Sequence, residues 1–148
     1  MLLDLRKLKR TGKDSADFYF EYQPTENLVE DLPGCEILLP IKVTGTVSLT
    51  GDHTAYVEAE IAFSIKGECT RCLEDATNSY CTEIAEQFDD DNDAGYYVKN
   101  DVIDLTKPVN DAVLMDIPVS FLCKEDCKGL CAGCGTNLNV AQCKCKKQ

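Results

Sequence analysis

The sequence predicts an α+β, β-rich fold, in which an antiparallel sheet with a long hairpin and one packed helix is followed by a C-terminal zinc knuckle. Three observations predict it. Apolar and polar residues alternate on both sides of a short turn in the middle of the chain, a later segment has apolar residues at helical spacing, and six of the ten cysteines lie after residue 122.

The long hairpin has the clearest pattern. Between residues 41 and 50, apolar or small residues alternate with lysine, threonine or serine, and a similar alternation runs back over 56–65 after the turn Gly51-Asp52-His53. A period of two residues turns one side of each strand toward the core. We therefore predict an antiparallel hairpin over Ile37–Lys66 that leads into Cys69-x-x-Cys72.

Shorter patterns predict the remaining strands. Aromatic, β-branched or alternating residues indicate strands at Leu2–Leu8, Phe18–Tyr22, Thr77–Phe88 and Tyr96–Val98. The prolines and acidic residues of segment 23–34 indicate a loop or one short helix.

One helix is predicted late in the chain. Its apolar residues fall at helical spacing, and they are Leu105, Val109, Ala112, Val113 and Ile117. Asp104 or Thr106 can cap it, so we expect a helix that reaches about Asp116, packs on the sheet and is ended by Pro118.

The chain is long enough for one domain with a hydrophobic core and a small metal-stabilised appendage. We expect residues 1–128 to form a β-rich core domain that includes a long-range four-cysteine zinc site. Residues 129–148 should form the zinc-knuckle appendage. Because the chain stops soon after its last thiols, we expect no further domain.

The compartment is predicted from hydropathy and cysteine use. No segment approaches the roughly 18 apolar residues that a membrane span needs, and charges at Asp4 and Arg6 come too early for a signal peptide. We therefore expect a cytoplasmic protein without membrane contact. In a reducing cytosol, ten cysteines indicate metal binding or redox chemistry rather than disulfides.

The net charge of −11 is unevenly distributed. Residues 1–13 carry +4 and residues 119–148 carry +3, which leaves −18 for the segment between them. Such a body repels phosphate, so nucleic-acid contact should be confined to the two basic ends, whereas the acidic part suits a basic protein partner. The alternative is that the acidity only confers solubility.

A local four-cysteine site is predicted near the C-terminus. Two cysteines separated by two residues can wrap a tight turn around one tetrahedral zinc ion. Cys131-Ala-Gly-Cys134 is such a half-site, and Cys143-x-Cys145 follows a loop of eight residues. These four thiols can therefore close one site.

A long-range site follows by elimination. Cys69-x-x-Cys72 is a half-site without a local partner, and Cys123 and Cys127 are the paired thiols that remain. Their spacing lies within the range that zinc pairs use. A swapped arrangement, with Cys127 in the C-terminal site, stays open on spacing alone. In total we predict about two zinc ions per chain.

The sequence offers no support for catalysis. A closed four-thiolate site leaves no coordination position for water or substrate, so its role would be structural. His53, the only histidine, lies in the hairpin turn without a nucleophile or second ligand nearby in sequence. Cys35 and Cys81 stand apart from both clusters, and we expect them to be small buried hydrophobic residues.

Cations next to the thiols are candidate nucleic-acid contacts. They can instead offset the negative charge of the zinc sites, and the two interpretations have similar weight. The candidates are Arg71, Lys124, Lys128, Lys144, Lys146 and Lys147.

Three stretches together carry a resemblance to a known family. They are Cys69-Thr-Arg-Cys72 after the hairpin, Ile103-Asp-Leu before a helix that ends in Ile-Pro, and the tail Cys127-Lys-Gly-Leu-Cys131-Ala-Gly-Cys134-Gly-Thr-Asn-Leu-Asn139. The chain resembles the bacterial YceD family, the large ribosomal RNA subunit accumulation proteins, across nearly its whole length. The combination of motifs is specific, whereas a lone Cys-x-x-Cys is not.

The resemblance implies a role in accumulation of large-subunit ribosomal RNA, and hence in ribosome biogenesis, without a known catalytic reaction. Some members lack the cluster corresponding to Cys131 through Cys145 but keep the counterparts of Cys69, Cys72 and Cys127. The resemblance therefore implies that the long-range site is the family core and that the C-terminal site is an added module.

Two hypotheses of function follow. The first is a non-enzymatic, zinc-stabilised factor in ribosome biogenesis that binds large-subunit ribosomal RNA or a basic ribosomal protein and takes no small-molecule substrate. The alternative is a redox-controlled zinc-thiolate chaperone or sensor, because neighbouring thiolates can switch between metal-bound and disulfide forms. A thiol oxidoreductase ranks third, since the strand-to-helix context of a redox Cys-x-x-Cys is missing.

Overall fold

The predicted fold class is confirmed by the computed structural model, which describes residues 1–91 and 93–145. The described part of the chain is β-rich, with antiparallel sheets and one main helix. Its elements in chain order are β1 (Leu2–Asp4), α1 (Arg6–Thr11), β2 (Ser15–Tyr22), β3 (Glu36–Leu49), β4 (Ala55–Glu68), β5 (Asp75–Phe88), β6 (Val98–Lys99), β7 (Val102–Asp104) and α2 (Thr106–Asp116).

The main sheet is an antiparallel meander in the order β2-β3-β4-β5. The predicted hairpin is confirmed as β3 and β4, which pair from Leu49 opposite Ala55 to Glu36 opposite Lys66, with a register shift between Leu38 and Lys42. Alternate residues of β4 are buried, as a period of two requires. The main sheet therefore has one face in the core and one face in solvent.

The N-terminal prediction was only partly right. The segment expected to be one strand over Leu2–Leu8 forms β1 and then α1, and β1 joins a small second sheet in the order β1-β7-β6 that the sequence patterns did not reveal. Leu5 and Leu8 are buried three residues apart, which is helical rather than strand spacing. The Leu5 N–H donates to the Asp101 carbonyl at 2.8 Å, one residue beyond the last pair of β1 and β7.

The predicted helix is confirmed as α2. The N-cap position is Leu105, which makes no side-chain cap, rather than the predicted Asp104 or Thr106. The Asp104 carboxylate, one residue earlier, still accepts the Thr106 N–H at 2.9 Å. Val109 and Val113 are fully buried against the core. The helix ends at Asp116, before Pro118. No helix in 1–91 or 93–145 has the length and apolar content that crossing a membrane would require.

The segment after α2 is tied to the far end of the main sheet. Phe121 is fully buried, and its carbonyl accepts the Thr70 N–H at 2.9 Å. The Asn78 side chain donates from Nδ2 to the Leu122 carbonyl at 2.7 Å. These contacts bring residues 121–127 beside the turn that follows β4.

Candidate metal centres

Eight cysteines form two groups of four in which all the Sγ atoms lie within 4.8 Å of one another. All ten cysteines of the chain are free thiols. We call the groups the long-range cluster, made of Cys69, Cys72, Cys123 and Cys127, and the C-terminal cluster, made of Cys131, Cys134, Cys143 and Cys145.

The long-range cluster begins where β4 ends. Strand β4 delivers the chain to Cys69, and a tight turn closes with the Leu73 N–H donating to the Cys69 carbonyl at 2.9 Å. This turn brings the Cys72 sulfur back beside that of Cys69. The other half of the long-range cluster, Cys123 and Cys127, lies on a second turn. There the Cys127 N–H donates to the Lys124 carbonyl at 3.1 Å.

The sulfur spacing fits a tetrahedral zinc ion. The Sγ atoms of Cys69 and Cys127 are 3.7 Å apart, and those of Cys72 and Cys123 are 3.6 Å apart. With zinc–sulfur bonds of about 2.3 Å, the edge of a tetrahedron of sulfurs is about 3.8 Å. A disulfide would need about 2.05 Å. Both Cys123 and Cys127 lie with Cys69 and Cys72, so the swapped arrangement is not the one in the structure.

The long-range cluster is buried. Cys69 is 0 % exposed, and Cys72 and Cys127 are each 3 % exposed. Leu122 and Leu130 pack against these sulfurs. Such a shell shields three of the four thiols from water, Cys123 being half-buried, and it lowers the local dielectric constant around them.

The pKa values of the long-range thiols diverge. Burial raises the pKa of Cys69, but hydrogen bonds from the backbone, first Cys123 and then Cys72 and Arg71, outweigh it and lower the pKa to about 6. Burial, followed by the neighbouring thiols, raises the pKa of Cys123 to about 12. Four thiolates so close together repel one another, so a divalent cation is the natural means of holding all of them ionised.

The C-terminal cluster is local and more open. The Sγ atom of Cys143 lies 3.1 Å from that of Cys131 and 3.5 Å from that of Cys134. A Cβ atom added to Gly133 would lie 3.3 Å from the Cys145 sulfur, which is tight enough to favour glycine inside the knuckle. The sulfur–sulfur distances of 3.1 and 3.5 Å are shorter than the tetrahedral edge of about 3.8 Å, and a metal ion would move these sulfurs apart.

Hydrogen bonding also makes the pKa values of the thiols in the C-terminal cluster differ from one another. The Thr136 hydroxyl and backbone, the leading causes, lower the pKa of Cys134 to about 6. The neighbouring thiols, Cys143 first, raise the pKa of Cys145 to about 12. The donor set, four sulfurs with no oxygen or nitrogen ligand, suits zinc and other soft or borderline cations. Four sulfurs leave no open coordination position, which is typical of a structural site.

The predicted cationic residues are exposed at the cysteine end of the molecule where the structure describes them. Arg71, Lys124, Lys128 and Lys144 are exposed, and Lys146 and Lys147 lie outside the described residues. The Arg71 guanidinium is already engaged, because Nη1 donates to the Cys127 carbonyl at 3.0 Å. The Lys124 Nζ atom lies 3.9 Å from an Asp126 carboxylate oxygen.

Three residues outside the clusters differ in outcome. Cys35 is half-buried over Gly67, but Cys81 is exposed on the solvent face of β5, so the prediction of a buried thiol was wrong there. Alternation along β5 places odd-numbered residues outward, and that signal was readable in the sequence. His53 is exposed in the turn between β3 and β4, as expected.

Sequence patterns did not assign Asn139, whose side chain contacts the long-range cluster. Its Nδ2 atom donates to the Cys127 sulfur at 3.4 Å. The only hint was its place in the Gly-Thr-Asn-Leu-Asn stretch after Cys134.

Comparison with known proteins gives the chain its family. The model of the family described as "Large ribosomal RNA subunit accumulation protein YceD" matches residues 57–148, which include all eight clustered cysteines. The chain belongs to the YceD family. The predicted resemblance is thereby confirmed. No solved structure matches this YceD-family chain.

Several curated proteins are similar to parts of this YceD-family chain. An uncharacterized protein of Mycobacterium tuberculosis is 33% identical over 92 residues, which cover 55% of this chain and 44% of the relative. The protein named "Large ribosomal RNA subunit accumulation protein YCED homolog 1, chloroplastic" of Arabidopsis thaliana is 39% identical over 46 residues, or 31% of this chain and 14% of that protein. The chain thus spans less than half the length of these relatives.

Proposed function

We propose that the protein is a zinc-stabilised, non-catalytic factor in ribosome biogenesis that supports accumulation of large-subunit ribosomal RNA by binding that RNA or a basic ribosomal protein. One observation carries the proposal. Two groups of four cysteines, in each of which all the sulfurs lie within 4.8 Å of one another, lie inside the region that the YceD family model matches. The family is named for rRNA accumulation and not for a reaction.

Zinc would have a structural role in this proposal. The long-range cluster ties the end of β4 to residues 123–127, and the C-terminal cluster closes a loop that has little secondary structure of its own. Binding free energy at such sites is folding free energy, because the unfolded chain has no preformed site. We propose that residues 1–128 form the core domain and residues 129–148 the appendage.

The charges suggest where each kind of partner would bind. On the solvent face of the main sheet, Glu58, Glu60 and Glu83 are exposed, and Glu60 lies directly opposite Glu83. Like charges placed opposite each other repel, and a basic partner would relieve that repulsion. Exposed lysines lie instead around the cysteines, with Lys124 and Lys128 on the turn of the long-range cluster. We therefore favour a basic ribosomal protein over naked RNA as the main contact.

The proposed zinc sites require a reducing cellular compartment. These sites need eight reduced cysteines, which the two clusters supply. Thiols persist in reducing compartments. We propose the cytoplasm as the site of action.

A pull-down from cell lysate, with and without nuclease, tests the proposal. We expect the protein to retain large-subunit ribosomal RNA without nuclease, and to retain an identified ribosomal protein after nuclease treatment. Metal analysis of the same protein, purified without added zinc, should give about two zinc ions per chain. A protein without metal, or one that retains neither ribosomal RNA nor ribosomal protein, would contradict the proposal.

Charge variants sharpen this test. Joint substitution Lys124→Ala and Lys128→Ala should reduce the nuclease-sensitive part of the retained material. Lys42→Ala removes an exposed lysine of the main sheet and serves as the matched control. Tight, salt-insensitive binding of purified ribosomal RNA without any ribosomal protein would overturn the preference for a protein partner.

A second candidate function, a redox-controlled chaperone or sensor, is favoured by the openness of the C-terminal cluster. Cys134 and Cys145 are exposed, and Cys131 and Cys143 are only half-buried. Exposed thiolates are the ones that oxidants reach. This candidate predicts that mild oxidation releases zinc from the C-terminal cluster.

A further inference from the structure

The two clusters are separated by only three residues of chain, and one of these, Leu130, packs on the long-range cluster. Cys127 belongs to one cluster and Cys131 to the other. Between them, the Leu130 N–H donates to the Arg71 carbonyl at 3.0 Å, inside the Cys69-x-x-Cys72 turn. Gly129 has a φ of +72°, and a Cβ added there would lie 3.0 Å from the same carbonyl. The backbone of the connecting residues therefore passes in close contact with the Cys69-x-x-Cys72 turn.

The side chain of Asn139 also links the two clusters, reaching from the loop of the C-terminal cluster to the long-range cluster. It lies in the loop between Cys134 and Cys143 of the C-terminal cluster, yet its Nδ2 atom donates to the Cys127 sulfur at 3.4 Å. Its Oδ1 atom accepts the Lys128 N–H at 2.9 Å. One side chain thus contacts a sulfur of the long-range cluster and the backbone next to it.

The loop that carries Asn139 is held by the C-terminal cluster. Cys134 and Cys143 bound the loop on either side, so a metal ion on these thiols would close it and restrict its conformations. The Leu138 N–H of the loop donates at 2.9 Å to the carbonyl of Gly129, which lies in the segment between the two clusters. The Asn139 N–H and its Nδ2 atom donate to the Asn137 carboxamide oxygen at 3.0 and 2.9 Å. These hydrogen bonds aim the Asn139 amide at Cys127, and closure of the loop by a metal ion would help to hold them in place.

We propose that Asn139 is a positioning residue that couples the two metal centres: metal binding at the C-terminal cluster orders Asn139, whose hydrogen bond to the Cys127 thiolate strengthens metal binding at the long-range cluster. An N–H donor spreads the negative charge of a tetrathiolate site, and loss of such an outer contact weakens metal binding by roughly 10- to 100-fold. Coupling of this kind is reciprocal. The inference rests on the metal binding in the proposed function.

Cadmium NMR provides the test, because each four-thiolate centre gives its own resonance. Cys143→Ser removes the C-terminal centre and so assigns the two signals. Competition with a chelator, followed at each resonance, then gives a separate affinity for each centre. In Asn139→Ala we expect the resonance of the long-range centre to move and its affinity to fall about tenfold.

Three further variants test whether the effect is specific to the hydrogen bond from Asn139 to the Cys127 sulfur. Asn139→Asp keeps an oxygen that accepts the Lys128 N–H but has no donor for the Cys127 sulfur, so it should lose affinity as Asn139→Ala does while the Lys128 amide stays protected from hydrogen exchange. Val140→Ala alters an exposed side chain of the same loop and should change neither resonance. The double variant Asn139→Ala with Cys143→Ser should bind cadmium at the long-range cluster no more weakly than Cys143→Ser alone.

The outcomes separate the coupling from the metal binding itself. If the unchanged protein binds cadmium and zinc at neither cluster, the proposed function fails. If it binds at both, but Asn139→Ala and Asn139→Asp leave the long-range centre as Val140→Ala does, the coupling is overturned while metal binding stands. Additive losses in the double variant would also overturn it, because Asn139 would then act without the C-terminal centre.

Discussion

Exposure of individual cysteines distinguishes two clusters that have the same kind of side chain. Cys69 is completely buried, whereas Cys134 and Cys145 are exposed. Thiol oxidation requires both a thiolate and access for the oxidant. We therefore expect the buried cluster to be inert toward oxidants and the exposed cluster to be reactive.

We expect mild peroxide to attack the C-terminal cluster first. Two of its thiolates would lose two electrons to form a disulfide, peroxide would be reduced to water, and about one zinc ion per chain would be released. A zinc indicator measures the release, and mass spectrometry locates the modified cysteines.

A Cys81→Ser protein should be used for this experiment, since Cys81 is an exposed thiol outside both clusters. Reductant added afterwards should restore the thiols and allow zinc to bind again. Retained zinc with unmodified thiols would eliminate the redox candidate. Equal oxidation of Cys69 and Cys134 would show that burial does not set the order.

Strand β4 is the element that positions the long-range cluster. It pairs with β3 on one side and with β5 along its whole length on the other, so its end at Glu68 is well fixed. Cys69 follows directly, and the Cys69 N–H donates to the Glu74 carbonyl at 2.9 Å. A half-site built on a central strand is held more precisely than one on a free loop.

Gly45→Ala should weaken the sheet that carries this half-site. A Cβ atom at Gly45 would collide with the Glu58 carbonyl oxygen and would lie 2.6 Å from the Ala59 Cβ. Backbone must move to relieve such contacts, and overpacking of this kind lowers the free energy of unfolding by about 1–3 kcal/mol. Urea unfolding of the zinc-loaded protein measures the loss.

The matched control is Gly51→Ala in the turn between β3 and β4. There the added Cβ meets the Thr54 hydroxyl, the end of a side chain that can rotate. We expect a smaller effect than at Gly45. Equal losses for the two variants would mean that crowding between β3 and β4 does not limit stability.

The length of an element decides whether its pattern of apolar residues can predict it. The hairpin strands and α2 are long enough for several repeats of their pattern, and all three formed as expected. Strands β6 and β7 have two and three residues, too few to show a period of two. Helix α1 has six residues, so the patterns of a short strand and a short helix overlap there.

Charge is arranged along the length of the whole molecule. The Lys9 ammonium of α1 contacts the Asp52 carbonyl in the turn before β4, whereas the cysteines and their lysines lie at the other end of that strand. Fourteen residues of strand span roughly 45 Å. The two basic ends are thus far apart, with the acidic sheet face between them. One small RNA contact would engage one end only.

Loss of a long-range ligand should affect the whole molecule. Cys69→Ser removes a sulfur that joins β4 to residues 123–127, so we expect zinc to fall from about two to about one per chain and the whole domain to be destabilised. Cys143→Ser should also remove about one zinc but, with zinc in excess, should leave the main unfolding transition nearly unchanged. Metal analysis and thermal unfolding check both outcomes.

Two results would contradict this difference. Similar stability for the two variants would mean that the long-range cluster does not hold the core together. Loss of both zinc ions from either variant, even with zinc in excess, would mean that the two centres form one cooperative unit.

Local features of this protein could be read from residue order alone. Periods of two and 3.6 residues follow from backbone geometry, so they revealed the hairpin, β5 and α2, and short cysteine spacings revealed the C-terminal cluster. The sequence predicted the long-range cluster only by elimination, with a swapped Cys127 left open. Folding was needed to decide that pairing, because it depends on Phe121 packing and on the Asn78 contact. It was needed equally for Asn139 to reach Cys127. Contacts between distant segments depend on how surfaces pack, and spacing along the chain does not encode that.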